Sequence, residues 1–225
     1  MTPVSVITTP EGQKKSFRAP TTYPALAFGD ATYTMSLSPE FTRSTALDAL
    51  SHCMESYFNK TANDISKTFA LRGVEILLKM LPKTVNCESA PLTFDDREKL
   101  YCASLYGGLA IGVTGTAFPH AMGYFLSESH GICHGNACAV YLEDFVEHNI
   151  KNSPIEAKTF FEALGTDKDT LLKLIEKNLP KIEVEISEEE FTSLAPRFDN
   201  NKSLIKSLGN VDRSFAEEIL KKKFM

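Results

Sequence analysis

From Ser38 onward the apolar residues recur at three- and four-residue intervals, and that rhythm commits most of the chain to helices packed on helices. Ser38-Pro39-Glu40 starts the first, with a hydroxyl at the N-cap and proline at the first helical position. Leu47, Leu50, Met54 and Tyr57 mark its apolar stripe. Asn63 or Asp64 caps a second helix carrying Ile65, Phe69, Val74, Leu77 and Leu78, expected to stop near Pro82. A third is expected from about Asp95 to Leu109, giving way to a close-packed bend over the Gly-rich segment Gly107–Thr116. Pro119 opens a further helix and another follows His134. Beyond Pro154, Ala157–Leu164, Thr170–Leu179 and Phe215–Phe224 read as amphipathic helices.

The first thirty residues follow a different pattern. Val4, Val6 and Ile7 form a β-branched run, Pro10 and Gly12 favour a reversal, and Tyr23–Phe28 is expected to be a further strand ending at Gly29-Asp30. The shift in composition near residue 30 is the one boundary drawn: strands in 1–30, a helical domain in 31–225.

Composition narrows the function classes. At 225 residues and 43% hydrophobic content the chain can bury a sizeable core. A net charge of −5 gives no basic footprint for nucleic acid or an anionic membrane surface. No apolar run reaches the ~20 residues that span a bilayer, and the first residues lack the apolar region of a secretory signal. Five cysteines without a CxxC pair argue against a zinc finger and fit a reducing, cytoplasmic setting, where they serve as small core hydrophobes.

Two features carry chemistry. In LDALSH, Asp48 and His52 stand at i and i+4 on the predicted first helix, so their side chains share a face one turn apart. A carboxylate and an imidazole so placed can hold a divalent metal, although a short D-x-x-x-H also arises as a solvated Asp beside a core His. The second feature is the cluster His120, His130 and His134, three of the chain's five histidines. Imidazole is the commonest transition-metal ligand, and a second cluster beside an Asp/His pair strengthens the metal reading.

The segments FTRSTALDALSHCMESYFNKTANDIS and GTAFPHAMGYFLSESHGICHGNACAV resemble the hallmarks of the iron-containing (group III) alcohol dehydrogenases. The likeness also takes in TPVSVIT and FGDATYTMSLSPE, covering roughly residues 1–150 well and the later helices loosely. It implies a mainly α fold, the helical C-terminal domain of dehydroquinate-synthase-like proteins, with a small N-terminal β remnant of an α/β domain. It implies a metal held by one Asp and three His, here Asp48, His52, His120 and His134. The family's usual ion is Fe(II), with Zn(II) as an alternative, and the hydride passes between a small alcohol or aldehyde and NAD or NADP. Phe118 and Tyr124 flank His120 and could line an apolar substrate pocket, but as bare aromatics they read as core residues. His130 matches no family ligand and reads as structural or solvated.

There are departures. Tyr124 stands where many members carry a further His, Cys133 where Pro usually precedes the last ligand, and Ala46 where Gly usually precedes the Asp motif. The family's glycine-rich phosphate loop is not found in these residues, so the chain is expected to begin near the end of the nucleotide-binding domain. Thr2 and Lys15 match positions that touch the cofactor in relatives. The expectation is a metal-binding half that is inactive alone and that self-associates as a homo-oligomer through exposed apolar surface. Two other readings stand beside it: a non-catalytic metal-binding helical scaffold, and a glycerol dehydrogenase-type relative.

Overall fold

The computed structural model describes residues 4–10 and 14–225. Strands β1 (Val4–Thr8) and β2 (Lys14–Arg18) pair antiparallel, with Val4 opposite Arg18 and Ile7 opposite Lys15. The turn expected at Gly12 lies outside the described residues. Tyr23–Phe28 is not a strand, contrary to its β-like composition: Pro20–Thr22 makes a 3₁₀ turn and the chain then runs unpaired. Pro24 has no N–H for a ladder, and with no neighbouring edge to pair against Leu26 and Phe28 stand exposed.

Helix α1 (Pro39–Tyr57) begins as its cap predicts, with Ser38 Oγ accepting from the Phe41 N–H at 3.2 Å. It is buried on nearly every side, through residues as different as Leu47, Leu50, Ser51, Cys53, Met54 and Glu55. Such all-round burial belongs to a helix inside the domain rather than on its surface, and α1 packs against α2 (Asp64–Val85), α3 (Phe94–Thr114) and α5 (His134–Ala139).

Two helix ends differ from expectation. α2 is capped by Asn63 but runs through Pro82 to Val85. A proline here forfeits one bond in the last turn, while Leu81 and Thr84 stay fully buried around it. α3 continues through Gly107 and Gly108 to Thr114 and stops at Gly115, whose φ of +76° suits glycine. Gly107 serves close packing rather than a bend: a Cβ there would lie 3.2 Å from the Ala49 carbonyl oxygen and 3.3 Å from His52 Cβ. It lets α3 press on α1 at the turn that carries His52.

The remaining helices are α4 (Phe118–Ser129), α6 (Leu142–Asn152), α7 (Pro154–Leu164), α8 (Lys168–Asn178), α9 (Glu188–Leu194) and α10 (Arg213–Phe224). They enclose an aromatic core in which Phe118 packs edge-on to Phe145 and Phe215, and Phe160 lies against Tyr57 and Phe58. Among the described residues no single helix is long and apolar enough to cross a membrane.

Candidate metal centre

Three helices deliver the chemistry to one place. Asp48 and His52 lie one turn apart on α1, with His52 Nδ1 3.9 Å from Asp48 Oδ2. The first turn of α4 supplies His120, whose Nε2 comes to 3.4 Å from Asp48 Oδ1. The start of α5 supplies His134, whose Nε2 lies 3.9 Å from the same oxygen. The close approach of α5 to α1 depends on Gly135, where a Cβ would stand 1.9 Å from the Ser44 carbonyl oxygen and 3.0 Å from Asp48 Cβ. Only a residue without a side chain brings His134 this near to Asp48.

The tightest set of donors is Asp48, His120, His134 and Cys138, which offer atoms all within 4.8 Å of one another. His52 borders that set, its ring stacked on His120 at a centroid separation of 4.5 Å. Tyr124 stacks on the other side, 5.5 Å from the His134 ring, whereas Phe118 is wholly buried in the core. His120 is 2% exposed and sits deepest; Asp48 and His134, at 24% and 37%, leave one side of the cluster open to solvent.

Beneath His120 lies Glu55, a carboxylate with no exposure. Its Oε1 meets His120 Nδ1 at 2.5 Å and accepts from the Ser51 hydroxyl at 2.5 Å. Its Oε2 accepts from the Ala117 N–H at 2.6 Å and the His120 N–H at 3.4 Å. A buried ionised carboxylate is tolerable only when so surrounded. Burial by itself would raise the Glu55 pKa, but His120 and these donors outweigh it and hold the group below the usual carboxylate range. Asp48 shows the same balance, its burial overcome by His52, His120 and His134. Burial also works against a charged His120, yet Cys138, Glu55 and Asp48 raise its pKa well above the usual imidazole value. His52 moves the other way, held low first by burial.

The donors fit a metal ion. Asp48 Oδ1 and His120 Nε2 are buried and lack any hydrogen-bond partner, approaching each other at 3.4 Å without aligning. Buried polar atoms left in that state are rare and call for an explanation. Two N/O donors each ~2.1 Å from a tetrahedral ion lie ~3.4 Å apart, so an ion shared between them accounts for both. Glu55 on the far nitrogen of His120 supplies the carboxylate–histidine support usual behind a metal-binding imidazole.

Of the other residues singled out in the sequence, His130, at the C-terminal end of α4, forms a part-buried pair with Glu190 at 2.8 Å. Lys15 is exposed on β2 and is not among the donors gathered here. Thr2 lies outside the described residues. Sequence reasoning missed Glu55 and Cys138. Both had a spacing signal: Glu55 follows His52 by three residues on the same helix, and Cys138 follows His134 by four.

Residues 42–197 match the family described as Fe-containing alcohol dehydrogenase, C-terminal. A 1-propanol dehydrogenase of Citrobacter freundii is 30% identical over 138 residues, which is 61% of this chain and 36% of that protein. Alcohol dehydrogenase 4 of Schizosaccharomyces pombe is 29% identical over 137 residues, 61% of this chain and 32% of the relative. An iron-containing alcohol dehydrogenase of Thermotoga maritima superposes with a TM-score of 0.85 at 31% identity, covering 98% of this chain and 59% of that one. A sulfoacetaldehyde reductase of Bifidobacterium kashiwanohense, solved in complex with NAD+, shares the fold with a TM-score of 0.87 at 24% identity over 60% of its length. The chain thus spans about a third of the length of these curated relatives and about three fifths of the solved structures.

Proposed function

Because this chain belongs to the iron-containing alcohol dehydrogenase family, we propose that it is the metal-binding half of a metal-dependent enzyme interconverting small alcohols with aldehydes or ketones, using NAD or NADP. The observation that carries this reading is the pair of buried, unpartnered atoms, Asp48 Oδ1 and His120 Nε2, with His134 beside them. Asp48, His52, His120 and His134 hold the ion. Fe(II) follows from the family, and Zn(II) suits the same donors. When bound, the ion supplies a Lewis acid that eases deprotonation of a hydroxyl or polarises a carbonyl, and the nicotinamide carries the hydride.

The chain's own residues supply position and charge. Asp48 enters the site ionised. Glu55 fixes the His120 ring so that Nε2 faces Asp48. Tyr124, stacked on His134, borders the same cluster and is in reach of a small substrate. In this proposal 1–30 belong with a nucleotide-binding domain, where Thr2 and Lys15 meet the cofactor, and 31–225 form the metal-binding domain. The setting is the cytoplasm, and the assembly a homo-oligomer. The propanol activity named for the Citrobacter relative makes short primary alcohols the first substrates to try.

Metal content tests the reading. After anaerobic loading with Fe(II) or Zn(II) and desalting, the protein should retain one ion per chain by elemental analysis. Asp48→Ala, His52→Ala and His134→Ala should retain none, whereas His130→Ala, altered at a pair outside the donor set, should match the unaltered protein. Equal metal in all four variants would sink the assignment.

A further inference from the structure

The donor set holds one atom that the family resemblance does not supply. Cys138 follows His134 by four residues on α5, so the two side chains share a face. Its sulfur is fully buried and lies 3.9 Å from both ring nitrogens of His134. It also stands within 4.8 Å of a donor atom on Asp48 and on His120. A buried cysteine in apolar surroundings packs as a small hydrophobe. This one instead borders two buried polar atoms, Asp48 Oδ1 and His120 Nε2, that have no hydrogen-bond partner. The other buried thiol on a helix facing the site, Cys53, packs against Gly73 and Gly107 and is not part of the donor set.

Resting on the metal-centre reading above, we propose that Cys138 is itself a ligand of the ion, adding a thiolate to the aspartate and the histidines. On binding, the S–H bond breaks, its proton leaves to solvent, and the sulfur lone pair forms the bond to the metal, with no change of oxidation state. A metal deprotonates a coordinating thiol outright, so the burial that keeps the free Cys138 protonated does not prevent ligation. Two consequences follow. A thiolate makes the donor set softer, favouring Zn(II) or Co(II) over Fe(II). It also cancels a further positive charge: a divalent ion held by Asp48 and neutral imidazoles keeps a net charge, and one that also binds Cys138 does not. The ion then acidifies a substrate hydroxyl less than a nitrogen- and oxygen-bound ion would.

Cobalt(II) separates the proposal from the reading it rests on. In an anaerobic titration of the 225-residue protein, visible ligand-field bands report Co(II) in the cluster and a near-ultraviolet thiolate-to-Co(II) charge-transfer band reports sulfur ligation. Both should appear in the unaltered protein and in Cys133→Ser. Cys138→Ser and Cys138→Ala should keep the ligand-field bands and lose the charge-transfer band; the alanine variant covers the case in which a buried hydroxyl disturbs folding. Ligand-field bands without charge transfer in the unaltered protein, or a charge-transfer band that survives both Cys138 variants, would overturn the proposal and leave the metal centre standing. No ligand-field bands saturating with added Co(II) would overturn both.

Discussion

Replacing Glu55 should damage the fold and the metal site together, and the structure indicates by how much. The carboxylate meets four groups: the Ser51 hydroxyl, the Ala117 and His120 N–H groups, and His120 Nδ1. Hydrogen bonds to a charged group contribute ~1.5–3 kcal/mol each, and a buried donor left unsatisfied costs a similar amount. These contributions are not additive within one network. Glu55→Gln keeps the shape and one acceptor but loses the charge opposite His120, so a destabilisation of ~2–3 kcal/mol is expected. Glu55→Ala strands the His120 ring and the Ala117 N–H, and ~3–5 kcal/mol is expected, the range for removing one partner of a buried pair. For a chain of this size the Gln variant should then melt roughly 4–12 °C lower, at ~2–4 °C per kcal/mol. Support behind a metal-binding His typically sets affinity by a factor of ~10–100, so Zn(II) binding should weaken within that range. Thermal unfolding followed by circular dichroism and a chelator-competition titration measure the two effects. A double-mutant cycle with His120→Asn assigns the route: if Glu55 acts through His120, its effect on Zn(II) affinity should largely vanish in that background. A Glu55→Ala protein with unchanged melting and unchanged Zn(II) affinity would refute the reasoning.

Three further outcomes are expected. Gly135→Ala puts a methyl group 1.9 Å from the Ser44 carbonyl oxygen, so α5 must move; a loss of roughly 1–3 kcal/mol is expected along with a fall in Zn(II) affinity of at least about tenfold, comparable to losing a metal ligand's support, and unchanged values for both would show that the approach of α5 to α1 is not constrained. The pKa of His120 is raised, so its proton stabilises the metal-free fold below the ordinary imidazole pKa of ~6.5 and that contribution is lost as pH rises through the folded value; because metal must displace the same proton, Zn(II) affinity should keep rising above pH ~6.5, and a plateau there would contradict the shift. The 225-residue protein alone, iron-loaded and anaerobic, should show no NAD- or NADP-linked oxidation of ethanol, propanediol or butanol, because these residues carry no glycine-rich loop to anchor a pyrophosphate; turnover near ~1 per second in an absorbance assay would count against that.

The helical frame was legible because its signals are local. Ser38 and Pro39, Asn63, and the stripe from Leu47 to Tyr57 each act within a turn or two, and each fixes its element where expected. The misreadings came where tertiary packing overrode local preference. Pro82 and Gly107 are helix breakers by propensity, yet the first falls in a last turn that loses one bond, and the second is required by the approach of α1. Tyr23–Phe28 has strand-like residues and no edge to pair with. The site divides along the same line. Asp48 and His52 are recognisable as a pair because one helix carries both, but that His120 and His134 join them depends on contacts such as Gly135 against Ser44, which no spacing in the sequence records.

In the proposed metal centre the proton on His120 and a metal ion would compete for one place, and this would link stability to function in the cluster. In the metal-free protein the imidazole lies between two carboxylates, with Glu55 on Nδ1 at 2.5 Å and Asp48 facing Nε2 at 3.4 Å. Each carboxylate favours a positive charge between them and, with Cys138, raises the His120 pKa against the effect of burial. In the proposed centre a divalent ion would take the place of the Nε2 proton and leave the bond to Glu55 intact, so Glu55 would stabilise both states with the same sign. Asp48 differs in kind: in the metal-free state it gains the attraction of the histidines but no hydrogen bond to Oδ1, and a coordinate bond would become available only with an ion. Glu55 therefore supports the fold whether or not metal is present, through hydrogen bonds and charge together, while Asp48 supports the metal-free fold through its attraction to the histidines and would gain a coordinate bond with an ion. Asp48→Asn and Glu55→Gln, each removing one negative charge from the same cluster, should for that reason differ in degree: the first losing metal with the smaller fall in melting temperature, because its part-exposed carboxylate has no hydrogen bond to Oδ1, and the second losing more stability even in the presence of chelator; the reverse order of melting temperatures in chelator would refute the argument.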